Sequence, residues 1–133
     1  MARRVKAAGM GLLIDFHYSA SWADPGKQFT PSAWAELSFD ELVTATHDWT
    51  RDAIEQMRAG GVRPDMVQIG NEITPGMTTD RGGSTRNWEQ LGRLLKAGIW
   101  AVKDVDPEIL AMLHIDKCGD NAATCRWVDS ALE

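Results

Sequence analysis

A short apolar run, Met66–Ile69, is followed directly by Gly70, Asn71 and Glu72. The run is typical of a buried strand, so the carboxylic acid stands where a strand gives way to a loop. In folds built on a parallel sheet, the carboxyl ends of the strands carry the reactive groups. A carboxyl group placed there can donate a proton to a substrate, and we therefore predict that Glu72 is a general acid.

Two other predicted strands also end in polar side chains. The earlier one carries Asp15, His17 and Tyr18, and the later one carries His114 and Asp116. Because side chains alternate along a strand, Asp15 is expected to share a face with His17. The same alternation pairs His114 with Asp116. Neighbouring parallel strands bring their carboxyl ends to one edge of the sheet, so we expect these groups to converge there.

The position of Asn71 depends on the backbone at the end of its strand. Strict alternation would put Gln68, Gly70 and Glu72 on one face and Asn71 on the other. A bulge or an early bend at Gly70 would let both Asn71 and Glu72 reach a single site.

Other interpretations of these polar groups are open. Asp15 could be a structural carboxylate that accepts backbone N–H groups or pairs with an arginine, and His114 could be a hydrogen-bonded core histidine. Asp15, His17, His114 and Asp116 also resemble a metal site, because imidazole and carboxylate groups bind zinc and similar ions. The chain has no His-x-His or HExxH motif, and we predict no metal and no cofactor.

Three predicted strands alternate with helices along the chain. The strands are predicted over residues 12–16, Met66–Ile69 and residues 109–115, and the intervening helices over Phe39–Ala59 and Trp88–Val105. This order predicts an α/β fold with a parallel sheet and right-handed crossovers.

Both ends of the chain are predicted to be helical. Residues 3–8 resemble the last turns of a helix, and Asn121–Leu132 resembles the start of another. Two long polar loops, residues 19–31 and 73–86, follow the first two strands, and long loops in compact domains are often functional. We expect residues 1–133 to be a partial domain, truncated at both ends, because three parallel strands cannot close a barrel.

Composition restricts the partners. The chain has 133 residues, 44% of them hydrophobic, and a formal net charge of −5. An acidic chain is a poor match for nucleic acid or an anionic membrane surface, and no apolar run approaches the roughly 18–20 residues of a membrane span. The two cysteines, Cys118 and Cys125, could form a local disulfide or remain as free thiols. The six tryptophans could stack on sugars or fill the core.

Five stretches of the chain form a recognisable set, namely residues 13–19 (LIDFHYS), 22–28 (WADPGKQ), 64–73 (PDMVQIGNEI), 76–77 (GM) and 112–116 (MLHID). Together they resemble glycoside hydrolase family 53, the endo-β-1,4-galactanases that cleave the galactan side chains of pectin. One departure is Ala20, where the family pattern has an Asp.

The resemblance implies a retaining, endo-acting hydrolase on a (β/α)₈ TIM barrel, of which this chain would supply strands three to five with their helices. It implies that Glu72 is the general acid/base and that Asn71 hydrogen-bonds the sugar hydroxyl next to the reacting carbon. It further implies a secreted enzyme that acts on arabinogalactan as a monomer. The remaining substrate-binding residues implied by the resemblance are Asp15, His17, His114 and Trp22.

A retaining hydrolase needs two carboxyl groups about 5–5.5 Å apart, one to protonate the leaving oxygen and one to attack the anomeric carbon. In the family the nucleophile is a second Glu at the end of strand seven, which would lie beyond Glu133. We therefore expect the chain as given to be inactive and its full-length parent to be an endo-galactanase.

Three rival functions are open at this point. The first is another retaining enzyme of the same clan, such as a mannanase, xylanase or cellulase, because the Asn-Glu pair is shared across the clan. The loop containing residues 22–28 favours galactan. The second is a non-catalytic carbohydrate-binding fragment, and the third is a metal-dependent hydrolase.

Overall fold

A computed structural model describes residues 1–133 and contains three strands and four helices. The predicted strands and helices are all present. In chain order the elements are α1 (Ala2–Ala7), β1 (Leu13–Phe16), α2 (Phe39–Ala59), β2 (Met66–Ile69), α3 (Trp88–Val105), β3 (Leu110–Met112) and α4 (Asn121–Leu132), with single 3₁₀ turns at Ser32–Trp34 and Thr79–Arg81.

The sheet is parallel throughout, with the strands in the order β1-β2-β3. Asp15 of β1 lies beside Gln68 of β2, which in turn lies beside Met112 of β3. The third strand is shorter than the predicted 109–115. Its pairing with β2 ends at Met112, opposite Gln68, and β2 itself ends one residue later at Ile69, so the last predicted residues have no strand beside them.

One face of the sheet packs against helices α2 and α3, and the core lies between these layers. Val67 and Ile69 point into it, and the helices contribute Leu42, Ile54 and Leu94. All five side chains are fully buried. Because side chains alternate along a strand, the other face carries Leu13 and Leu110, which are 46% and 56% exposed.

Helix α2 begins where local side chains satisfy its free N–H groups. The hydroxyl of Ser38 accepts the backbone N–H of Glu41, and the Glu41 carboxylate accepts the backbone N–H of Ser38 at 2.8 Å. This capping box explains why the helix starts at Phe39. Asn87 caps α3 and Asp120 caps α4 through a single bond each, in which the side-chain oxygen accepts a backbone N–H of the first turn.

Two features bear on partners and redox chemistry. None of the helices combines the length and the apolar character needed to cross a membrane. Both Cys118 and Cys125 are exposed free thiols.

Helix α3 packs tightly against the sheet at Gly98. A Cβ atom there would lie 2.7 Å from Cγ2 of Ile69 and 3.1 Å from the hydroxyl of Tyr18. We expect Gly98→Ala to lower the free energy of unfolding by about 1–3 kcal/mol, because a packed core resists added volume. Urea unfolding followed by circular dichroism measures this.

Gly92 is the matched control on the same helix, because a Cβ there would meet nothing within 4 Å. Gly92→Ala should stabilise the chain by about 0.5–1 kcal/mol, since alanine loses less backbone entropy on folding than glycine. Equal effects of the two substitutions would contradict the packing described for α3.

A histidine links α2 to α3 on the outer surface. His47 Nε2 lies 3.0 Å from Oδ2 of Asp104, and Nδ1 lies 3.1 Å from Oδ1 of Asp48. Partial burial lowers the pKa of His47, but the hydrogen bonds to Asp48 and Asp104 outweigh it and leave the pKa raised. The stabilisation is therefore fully present below about pH 6.5 and is lost as pH rises through the raised pKa.

We expect His47→Gln to destabilise the chain more at pH 5.5 than at pH 8. The difference should stay below about 1 kcal/mol, because both carboxylates are exposed to solvent. Thermal unfolding at the two pH values measures it, and Asp104→Asn should reduce the pH dependence. A stability loss that is the same at both values would show that the two helices are not joined by a charged histidine.

Candidate active site

The backbone leaves the sheet abruptly after β2. Gly70 has φ +77°, and its N–H donates to the carbonyl of Phe16 at 2.9 Å as the last contact of the strand. A Cβ atom at Gly70 would lie 2.5 Å from Cγ2 of Ile73, so only glycine fits this bend. The bend anticipated at Gly70 is therefore present, and it turns the side chain of Asn71 toward β3 and the loop after β1.

Asp15 accepts hydrogen bonds from two side chains. Gln68 Nε2 donates to Oδ1 of Asp15 at 2.7 Å, as the strand register allows. His17 Nε2 lies 3.1 Å from Oδ2, which confirms that these two residues share a face. Asp15 is thus held by neighbouring side chains, and neither an arginine nor a backbone N–H group contacts it.

The position of the proton on His17 follows from its second hydrogen-bond partner, Ala23. The backbone N–H of Ala23 points at Nδ1 of His17 at 2.9 Å. A backbone N–H can only donate, so Nδ1 must accept. The ring proton is then on Nε2, from which it is donated to Asp15.

Asn71 is fixed in a similar way. Its Nδ2 donates to the carbonyl of Ala23 at 2.9 Å, so Oδ1 faces the opposite side. There Oδ1 accepts from Nδ1 of His114 at 2.8 Å and lies 3.3 Å from Nε2 of Gln68. His114 therefore carries a proton on Nδ1, and its Nε2 has no hydrogen-bond partner within the chain.

These contacts form a cycle, which we call the polar ring. Its longest contact is the one of 3.3 Å between Nε2 of Gln68 and Oδ1 of Asn71, since Nε2 has shorter contacts with Asp15 and with the carbonyl of Gly70, at 2.7 and 3.0 Å. The ring runs from the N–H of Ala23 back to the carbonyl of the same residue, and it ties β1, β2 and the loop at residues 19–31 together. His114 of the segment after β3 joins it through Asn71. The members in order are Ala23, His17, Asp15, Gln68 and Asn71.

Glu72 follows the ring and stands apart from it. It has φ +50°, a left-handed conformation that residues with a side chain rarely adopt. Its side chain is partly exposed, and its carboxylate makes no hydrogen bond within the chain. The carboxylate is therefore free to interact with a bound molecule.

Trp22 lies on the outer side of the polar ring. Its indole contacts the imidazole of His17 edge to face, with ring centroids 5.2 Å apart, and it is 77% exposed. An exposed aromatic face beside hydrogen-bonding groups is suited to stack on an apolar face of a sugar.

Two of the polar residues anticipated at the strand ends lie elsewhere. Tyr18 has φ 52° and turns back into the core, where its hydroxyl donates to Oγ1 of Thr50 at 2.7 Å. Burial raises the pKa of the Tyr18 phenol well above its usual value. The pairing of His114 with Asp116 is not seen either. Asp116 accepts from the hydroxyl of Thr74, and this bond lowers its pKa.

The structure separates Asp116 from the other three residues considered as a metal site. Because Asp116 is engaged by Thr74, it does not join Asp15, His17 and His114. No group of three or more His, Cys, Asp or Glu residues in the 133 residues is arranged to hold a metal ion.

Three residues of this region have roles that the sequence did not predict, namely Gln68, Gln28 and Ala23. A signal existed for Gln68, because an amide between Val67 and Ile69 in an apolar strand must find buried partners. Gln28 is also buried, and its Nε2 donates to the carbonyl of Asn71 at 2.7 Å. Nothing in the sequence marks Ala23, because it acts only through its backbone.

Comparisons with known proteins show the family of the chain. The family model for Glycosyl hydrolase family 53 matches residues 1–133. The chain is 42% identical over 129 residues to the arabinogalactan endo-β-1,4-galactanase of Humicola insolens, covering 96% of this chain and 38% of that protein. It is 40% identical over 114 residues to the endo-β-1,4-galactanase of Bacillus subtilis, covering 86% and 25%.

Solved structures give the same result. The Ignisphaera aggregans GH53 catalytic domain superposes with a TM-score of 0.87 at 47% identity, covering 99% of this chain and 37% of that one. A fungal β-1,4-galactanase superposes with a TM-score of 0.90 at 39% identity, covering 98% and 39%. The chain spans about two fifths of the length of these structures, and its three strands form part of a (β/α)₈ barrel, as predicted. The chain belongs to glycosyl hydrolase family 53, which confirms the resemblance identified from its sequence.

Proposed function

We propose that these 133 residues are part of the catalytic domain of a retaining endo-hydrolase that cleaves β-1,4-galactan in arabinogalactan. The observation that carries the proposal is the arrangement at the end of β2. A free carboxylate, Glu72, directly follows an amide, Asn71, that the polar ring holds in one orientation. The galactanase names of the relatives from Humicola insolens and Bacillus subtilis support the choice of substrate.

Glu72 acts as the proton donor in this proposal. It gives its proton to the glycosidic oxygen as the bond to the anomeric carbon breaks, and it then takes a proton from the water that completes hydrolysis. The lack of any hydrogen bond to its carboxylate within the chain leaves Glu72 free for this exchange.

The polar ring prepares the binding groups. Asn71 uses one hydrogen of its amide on Ala23. The second is available for the sugar hydroxyl next to the reacting carbon. His114 offers Nε2 as an acceptor for another hydroxyl, and Trp22 provides a stacking surface. Asp15 and His17 hold these groups in place from the β1 side.

The retaining reaction requires a second carboxylate as the nucleophile. It attacks the anomeric carbon, forms a glycosyl ester and is released when water hydrolyses that ester. We propose that this residue lies outside the 133 residues, in a longer protein that is secreted and acts as a monomer.

The proton-donor role predicts that Glu72→Gln in the complete enzyme loses activity to an extent that depends on the substrate. The value of kcat/KM on β-1,4-galactan should fall by about 10²–10⁴-fold, because the poor leaving group needs the proton. A 2,4-dinitrophenyl galactobioside should be affected far less, since its leaving group departs as a stable anion. Glu55→Gln, an exposed change on α2, is the control and should leave both values unchanged. An equal loss on the two substrates would reject the donor role.

The isolated 133-residue chain should show no turnover of β-1,4-galactan, because no covalent intermediate can form without the nucleophile. A reducing-sugar assay on the purified chain tests this. Product formation that disappears in Glu72→Gln of the same chain would mean that a complete catalytic pair is already present within the 133 residues.

A further inference from the structure

We propose that Gln28 is a positioning residue for the proton donor, acting through the backbone of Asn71 and Glu72. The proposal rests on the proposed function, because it assigns Gln28 a part in the reaction of Glu72. Gln28 lies in the loop after β1, away from the strand that carries the donor.

The contacts of Gln28 are buried and specific. Gln28 is 2% exposed. Its Nε2 donates to the carbonyl of Asn71 at 2.7 Å and lies 3.4 Å from the carbonyl of Glu72. Both carbonyls can only accept, so the amide of Gln28 must present its nitrogen to them.

The backbone at this point needs an outside donor. The sheet ladder ends at Gly70, and the bend there takes the following carbonyls away from any neighbouring strand. A buried carbonyl without a partner is costly, and Glu72 is also in a left-handed conformation that its side chain disfavours. Gln28 satisfies the carbonyl of Asn71 and lies against that of Glu72, so it favours this conformation over a relaxed one.

Gln28 is itself held between two loops. Its own carbonyl accepts the backbone N–H of Thr79 at 2.9 Å. Two residues further along, the N–H and the hydroxyl of Thr30 both donate to Oδ1 of Asp80 at 2.9 Å. These bonds join the loop at residues 19–31 to the loop at 73–86, so the side chain of Gln28 is fixed relative to the backbone that it contacts.

Loss of this contact would let the backbone of Glu72 relax and would change the direction of its carboxylate. Proton transfer depends steeply on the geometry of donor and acceptor. The value of kcat/KM should therefore fall on substrates whose leaving group needs the proton. A role limited to stability would lower the melting temperature without this dependence on the leaving group.

The test uses Gln28→Met, which keeps the side-chain length and removes the donor, in the complete enzyme. We expect kcat/KM on β-1,4-galactan to fall by about 10–100-fold, the loss typical of a slightly misplaced group. On a 2,4-dinitrophenyl galactobioside kcat/KM should change by less than about threefold, because little protonation of that leaving group is needed. Gln56→Met, the same change at an exposed position of α2, is the control and should match the wild type.

Gln28→Glu provides a second variant if Gln28→Met does not fold, because it keeps the shape and replaces the donor with an acceptor. The positioning role would be overturned if, in the variant that folds, kcat/KM fell by the same factor on both substrates or did not fall on either. The proposed function fails in a different way. A wild-type enzyme without activity on galactan, or full activity in Glu72→Gln, would reject the galactanase assignment itself.

Discussion

The bend at Gly70 is the constraint on which the rest of the candidate site depends. It ends the β2 ladder one residue before Asn71, and only a glycine can occupy it because of Ile73 beneath. Without it, strict alternation would send the amide of Asn71 to the face opposite Glu72. With it, Asn71 reaches Ala23 on one side and His114 on the other. A single backbone conformation therefore selects which polar groups meet.

The polar ring then converts that geometry into fixed hydrogen-bond directions. Four of its five junctions contain a group that can only donate or only accept, namely the N–H of Ala23, its carbonyl or the carboxylate of Asp15. The two histidines consequently carry their protons on different nitrogens, His17 on Nε2 and His114 on Nδ1. Groups that are oriented before a substrate arrives need no reorganisation during the reaction. Glu72, which lies outside the ring, is the one that stays free to exchange a proton.

The sequence was sufficient to predict the regular secondary structure. Apolar runs and helical periodicity predicted every strand and helix, and parity along β1 predicted the pairing of Asp15 with His17. It overestimated β3, because the run of mostly apolar residues continues past Met112, whereas the pairing with β2 ends there. Parity failed for His114 and Asp116, which follow the end of β3 at Met112. Tyr18, expected among the polar groups at the end of β1, lies in the core instead. The roles of Ala23 and Gln28 could not be predicted, since both act on backbone groups of residues distant in the chain.

Catalysis at this site requires that the residue at position 72 meets the glycosidic oxygen while Asn71 holds the adjacent hydroxyl. The most direct measurement is a crystal structure of the complete Glu72→Gln enzyme with a bound β-1,4-galacto-oligosaccharide. We predict that the side chain at position 72 lies within hydrogen-bond distance of a glycosidic oxygen and that Nδ2 of Asn71 contacts the neighbouring hydroxyl. A sugar bound away from the ends of the strands, with position 72 directed to solvent, would contradict the account.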